Sequence, residues 1–201
     1  MVTPSPQAIP PRKFCQSIFL IGLFILVIGS TILFIVVGKW GIMQHMDLKV
    51  GQTSPSFALP DQDEKKHRLS DYRGQWVLIY FYPKDDTPGC TKEACGIRDN
   101  FSEFGKLDVK VVGISADSPA RHKKFAEKYD LPFTLLADEE KKVLGKYGVW
   151  ARKKMMGREY MGILRTSFLV DPKGKIAKIY ENVKPEGHAE EILKDLAQLK
   201  G

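Results

Sequence analysis

Cysteine is scarce in this chain: three among 201 residues, at positions 15, 90 and 95. Three are too few for a disulfide framework, and neither they nor the four histidines fall at zinc-ligand spacing. Long basic runs are also missing. The one clear cluster, Arg152-Lys153-Lys154, reads as a solvated loop, so nothing points to nucleic acid. None of the histidines, His45, His67, His122 and His188, has a sequence partner at useful spacing. Histidine-based catalysis is therefore not expected, and neither is a metal or a cofactor.

Charge is lacking altogether from Phe14 to Gly38, 25 consecutive residues dominated by Ile, Leu, Val and Phe. As a helix this run exceeds the roughly 30 Å hydrocarbon core of a bilayer, so it is long enough to span with some tilt. A cleaved signal peptide would have a shorter apolar region and a small-residue cleavage site. Val37-Gly38-Lys39-Trp40 offers none, and Trp40 suits an interfacial belt. The expected organisation is a short tail (1–13), a single transmembrane helix (14–38), a linker (39–50) and one domain (51–201). Arg12 and Lys13 flank one side of the span and Lys39 and Lys49 the other. The positive-inside count is close to a tie, which leaves open the side on which the domain lies. Cys15 reads as a small apolar residue at the membrane edge. The formal charge of +7 is spread over the chain with both signs interspersed in the domain.

Within the domain, Phe57–Pro60 and His67–Ser70 read as short edge strands. Trp76–Tyr82 is a near-continuous apolar run, the pattern of a strand buried on both faces. A helix from Pro88 to about Phe104 and a strand at Val109–Ser115 complete a βαβ unit. Ser118-Pro119 opens a helix to about Tyr129, and Phe133–Ala137 reads as another strand. A short helix at Glu139–Tyr147 follows, then an irregular stretch at 149–162. Thr166–Asp171 and Lys175–Glu181 form an antiparallel hairpin about Asp171-Pro172-Lys173-Gly174. An amphipathic helix from about Glu186 ends the chain. The class is α/β, and the order of elements is that of a thioredoxin-like fold, a central mixed sheet flanked by helices.

The stretch Tyr80 to Cys95 carries the chemistry. It leaves the apolar strand, passes a polar turn and opens a helix with Thr87 as the expected N-cap and Pro88 as the first helical residue. Cys90 then lies at the third helical position, among unpaired N–H groups at the positive end of the helix dipole. A thiol there is expected to ionise more readily than the usual value of about 8.5. Cys90, Ala94, Ile97, Phe101 and Phe104 form the inward stripe, placing Cys90 at the bottom of a pocket, while Cys95 lies on a different face. Five residues along an intact helix separate two Cα atoms by about 8.7 Å, and a disulfide needs about 7 Å or less. The pair can bond only if the first turns unwind, the behaviour of a cycling redox couple better than of a structural staple.

Pro83-x-x-x-Thr87-x-x-Cys90 resembles the active-site signature of peroxiredoxins. The run from Pro83 to Cys95, followed by Arg98-Asp99-Asn100-Phe101, is similar to the bacterioferritin-comigratory (PrxQ) subgroup; the likeness covers about residues 47–200. The resemblance implies a thiol peroxidase acting on hydrogen peroxide and organic hydroperoxides. Cys90 would be the peroxidatic residue, oxidised to a sulfenic acid, and Cys95 the resolving one, closing an intramolecular disulfide that thioredoxin or a similar dithiol reduces. Thr87 would supply a hydroxyl to thiolate and peroxide, competing with its capping role, and Pro83 would shield the site from water. Arg165, in the pattern Arg-x-Ser/Thr-Phe, would supply the fixed cation. Glu93 is a conventional helix residue with no firm role. The catalytic domain is expected to be monomeric. Two other readings are a membrane-tethered thioredoxin-like disulfide oxidoreductase and a non-catalytic binding module of the same fold. The first uses Cys-x-x-Cys, unlike the Cys-x-x-x-x-Cys here, and the second does not need the set Thr87, Cys90 and Arg165.

Overall fold

The computed structural model of the protein describes residues 48–155 and 157–200. The tail, the span expected at 14–38 and most of the linker lie outside the described residues. Among the described residues no helix is long and apolar enough to cross a membrane.

The described residues open with two short strands, β1 (Ala58–Pro60) and β2 (Lys66–Arg68), which pair with each other. The strand β3 (Trp76–Phe81) leads into helix α1 (Pro88–Asp99) and the shorter α2 (Phe101–Lys106). Then come β4 (Val109–Ser115), α3 (Pro119–Lys128), β5 (Thr134–Ala137) and α4 (Lys142–Lys146). A hairpin of β6 (Trp150–Met155) and β7 (Arg158–Ile163) precedes β8 (Thr166–Val170), β9 (Ile176–Tyr180) and α5 (His188–Lys200).

Five strands make the central sheet, in the order β5-β4-β3-β8-β9. β3 pairs in parallel with β4, and β4 with β5, while β8 runs antiparallel to both β3 and β9. The uninterrupted apolar run of β3 follows from its central place. Leu78, Tyr80 and Tyr82 point into a core beneath α1, α2, α3 and α5. Val77, Ile79 and Phe81 point the other way, into a second core closed by α4 and by Phe57 and Leu59. Period-2 alternation delivers each set to its own layer, and neither layer leaves a polar position on the strand.

Four expectations are corrected. The helix opening at Pro88 does not run to Phe104: it stops at Asp99, and Asn100 (φ −100°, ψ 8°) separates α1 from α2. The Asn100 amide donates to the Gly96 carbonyl at 2.9 Å, the side-chain competition that makes asparagine a poor interior helix residue. The break lets Phe104 turn fully into the core. The helix expected at Glu139–Tyr147 is shorter, because Asp138 accepts from the N–H groups of Lys142 and Leu144 and starts α4 there. The C-terminal helix begins at His188, two residues late, after Gly187 at φ +74°. The stretch 149–162, expected to be irregular, is a regular hairpin turning at Gly157 (φ +80°). Its strands carry charge in place of apolar alternation, which hides them from a periodicity reading.

Candidate active site

α1 starts just beyond the carboxyl end of the central strand β3, where open α/β sheets build their sites. Cys90 is its third residue and is buried. Pro83, half-buried, comes one residue after the end of β3, behind Tyr82, and the loop to Thr87 is held by its own acidic residues. Asp85 is buried and accepts from the Tyr82 hydroxyl at 2.7 Å; its other oxygen meets Nδ1 of His122, on α3, at 2.8 Å. The Asp85 N–H donates to Asp117. Asp86, at φ +56°, is held by Lys128 and by the Tyr129 hydroxyl. A loop without regular structure is thereby fixed at two successive residues.

Thr87 occupies the N-cap position of α1 as expected from sequence, with extended backbone, but its hydroxyl does not cap. It donates to the carbonyl of Lys84 at 3.0 Å. The hydroxyl therefore serves the loop and not the helix cap.

Arg165 lies in the short link between β7 and β8. Leu164 N–H is bonded to Val149 and the Arg165 carbonyl accepts from Val183, so the backbone is pinned on both sides. Nη2 donates to Sγ of Cys90 at 3.3 Å, and Nη1 pairs with the carboxylate of Glu93. The approach depends on Gly89: a Cβ at that position would stand 3.3 Å from Nη2. Burial pulls the guanidinium down, but Glu93 and then Cys90 outweigh it and the net shift is upward. Glu93 is buried by one turn of α1, and burial raises its carboxyl to about 7 against the opposing pull of Arg165. One of its oxygens, Oε1, has no partner; nor has the buried hydroxyl of Tyr80, which lies beneath the site. A motif reading leaves Glu93 without a role because nothing local marks it: its importance comes from Arg165, 72 residues away.

Cys95 is half-buried, and neither cysteine is in a disulfide. With α1 intact the two Cα atoms are about 8.7 Å apart. The three histidines among the described residues, unpartnered in sequence, have spatial partners. Besides His122, His67 meets Asp61 at 2.7 Å, and His188 Nε2 meets the Ser167 hydroxyl at 2.9 Å. Burial lowers His188, against Glu191, which raises it. An open hollow of about 760 Å³ lies between Phe57–Pro60 and Asp138–Lys146. It is lined by none of Pro83, Thr87, Cys90, Cys95 and Arg165, so the pocket expected around Cys90 is not this one.

Residues 50–179 match the AhpC/TSA family. The chain is 50% identical to peroxiredoxin Bcp of Escherichia coli over 146 residues, 73% of this chain and 94% of that protein. The chain belongs to the AhpC/TSA family, in its Bcp/PrxQ branch. Among solved structures it resembles PrxQ of Xylella fastidiosa, with a TM-score of 0.74 at 31% identity, covering 78% of this chain and all of that one. It also resembles the bacterioferritin comigratory protein of Xanthomonas campestris, whose alkyl peroxide reduction activity has been described structurally. There the TM-score is 0.71 at 31% identity, again over 78% of this chain and all of that one. The α/β thioredoxin-like fold is therefore shared across the branch, and the Bcp relative spans little beyond this peroxiredoxin domain.

Proposed function

We propose that this chain is a thiol peroxidase that reduces hydrogen peroxide and organic hydroperoxides. The observation that carries the reading is the guanidinium N–H of Arg165 aimed at Sγ of Cys90, at the first turn of a helix. The donor favours a sulfur bearing negative charge and lies where charge develops on a peroxide oxygen. In the first step the Cys90 thiolate attacks the hydroxyl oxygen of ROOH. The O–O bond breaks, Cys90 becomes a sulfenic acid, and RO⁻ leaves to take a proton from solvent. The thiol of Cys95 then attacks the Cys90 sulfur, releasing water and forming the Cys90–Cys95 disulfide. A thioredoxin-like dithiol returns both thiols. Pro83 keeps bulk water from the reacting sulfur, and Thr87 is positioned to turn its hydroxyl from Lys84 toward a bound peroxide. The domain works as a monomer, since both cysteines belong to one helix. Alkyl peroxide reduction by the Xanthomonas relative supports the organic substrates. Replacing Cys90 by Ser is expected to abolish peroxide consumption; a C90S protein that keeps most of its turnover would falsify the assignment.

The run Phe14–Gly38 supports a second element of the proposal, a single-pass membrane anchor. The protein should stay with membranes through a carbonate wash, and its release into the supernatant would exclude the anchor. Protease accessibility in sealed vesicles would fix the side on which the domain lies.

A further inference from the structure

Before Cys95 can meet Cys90, α1 must let go of whatever it is tied to. Towards its start it is held through Cys90 and Glu93 by Arg165, and by Lys92, which pairs with Glu186 in an exposed contact. Beyond Cys95, among the described residues, two side chains tie this end of α1 to other elements: the C-cap Asn100 donates to Glu190 of α5 at 3.3 Å, an exposed contact past the last turn, and Arg98 bonds from within the helix. Nη1 of Arg98 donates to the carbonyl of Tyr129 at 2.7 Å, while Nε and Nη2 hold the neighbouring Asp99.

Tyr129 is the C-cap of α3. A carbonyl there belongs to the helix end that lacks intrahelical donors and carries the negative end of the dipole, so a guanidinium is a favourable partner. Arg98 lies three residues after Cys95 and hence on the same side of α1. The residue behind the Tyr129 carbonyl also holds Asp86 through its hydroxyl. Tyr129 therefore touches both the loop ahead of α1 and the turn that carries Cys95. One turn further on, the Asn100 break ends α1, and α2 stays rooted by the buried Phe104.

We propose that Arg98 is a positioning residue for resolution: its bond to the Tyr129 carbonyl latches the Cys95 turn of α1 to α3, and opening that latch admits Cys95 to the oxidised Cys90. The step it gates is the reaction of Cys90 sulfenic acid with the Cys95 thiol, which forms the S–S bond and releases one water. The latch holds Cys95 back, so it lengthens the life of the sulfenic acid and with it the chance of further oxidation to sulfinate. The inference rests on the resolving role given to Cys95 above.

The experiment is rapid-quench mass spectrometry of the full chain in detergent, following sulfenic acid, disulfide and sulfinate after a peroxide pulse. Arg98→Met keeps the packing stem and removes the donors. Disulfide formation should accelerate about tenfold, the equivalent of losing one hydrogen bond made by a charged group. Sulfinate at high peroxide should fall, and the rate of the peroxide step should hold within about twofold, because the open form stays a minor state. Arg98→Lys keeps a charged donor for the carbonyl and should restore most of the slower rate. Disulfide formation that is unchanged or slower in R98M overturns the latch; slower formation would assign Arg98 to the charge of the Cys95 sulfur. An R98K protein as fast as R98M overturns the hydrogen-bond account, and so does an equal loss in both steps with a lowered Tm, the mark of general destabilisation. If the unsubstituted chain forms no Cys90–Cys95 disulfide, the resolving role itself fails, a separate result.

Discussion

Glu93 and Arg165 are joined as an ion pair whose carboxylate is wholly buried, so its charge is not secured by the pairing. Burial outweighs the guanidinium and holds the carboxyl at about 7, above its usual 4.5. The folded protein thus binds a proton between these values that the unfolded chain releases. Stability from that proton is complete below about 4.5 and is lost as pH rises through about 7. Glu93→Gln fixes the neutral form. Its stability relative to the unsubstituted protein should rise between pH 5 and pH 8, by up to roughly 3 kcal/mol. Urea unfolding across that range checks it, and a pH-independent difference would return Glu93 to the ionised state.

Arg165 serves two partners with one planar group, and a lysine cannot do the same. Arg165→Met is expected to slow the reaction of Cys90 with peroxide by about 10²–10³-fold, the cost of losing a positioned donor. Arg165→Lys should recover little of it. Stopped-flow measurement of the first oxidation decides: a loss below about tenfold would remove the guanidinium from the reaction.

His122→Ala strips a fully buried carboxylate, Asp85, of its ring partner. The expected cost is about 3–5 kcal/mol, as for a broken buried pair. Asp85→Asn, which keeps a polar group for Tyr82 and removes the charge, should cost less. Thermal unfolding of the two variants ranks them, and equal Tm values would mean that the pair does not hold the loop.

Gly113 sits on β4 opposite Tyr80. A Cβ there would stand 2.7 Å from the Tyr80 ring and hydroxyl and 2.8 Å from Leu135. Gly113→Ala should therefore destabilise by about 1–3 kcal/mol through overpacking. Tyr80→Phe removes a buried hydroxyl without a partner and should be close to neutral. Chemical denaturation distinguishes these outcomes, and a silent G113A would show that the ring yields freely.

The apolar run of β3 and the Thr87-Pro88 helix start were legible because each is a local signal that tertiary structure reinforces. The fold order follows from them, and the motif around Arg165 marks that residue. What stayed hidden lies between distant segments. Glu93 looks like any helix glutamate until Arg165 folds over it, and His122 gains its meaning only beside Asp85. The Asn100 break escaped because the apolar stripe runs straight across it to Phe104. The β6–β7 hairpin escaped because lysine and arginine occupy the positions where alternation would have shown.

β3 is flanked by β4 on one side and β8 on the other, so its amides are paired along both edges. α1 packs on one face of that strand and ends at its own break. Its hydrogen bonds can open and close without disturbing a single rung of the ladder beneath. In hydrogen–deuterium exchange the α1 amides should therefore trade with solvent through a local excursion, while those of Leu78 to Tyr80 wait for the whole domain to come apart. The redox segment behaves as a hinged cover on a rigid floor, and wear at the cover is not passed to the floor.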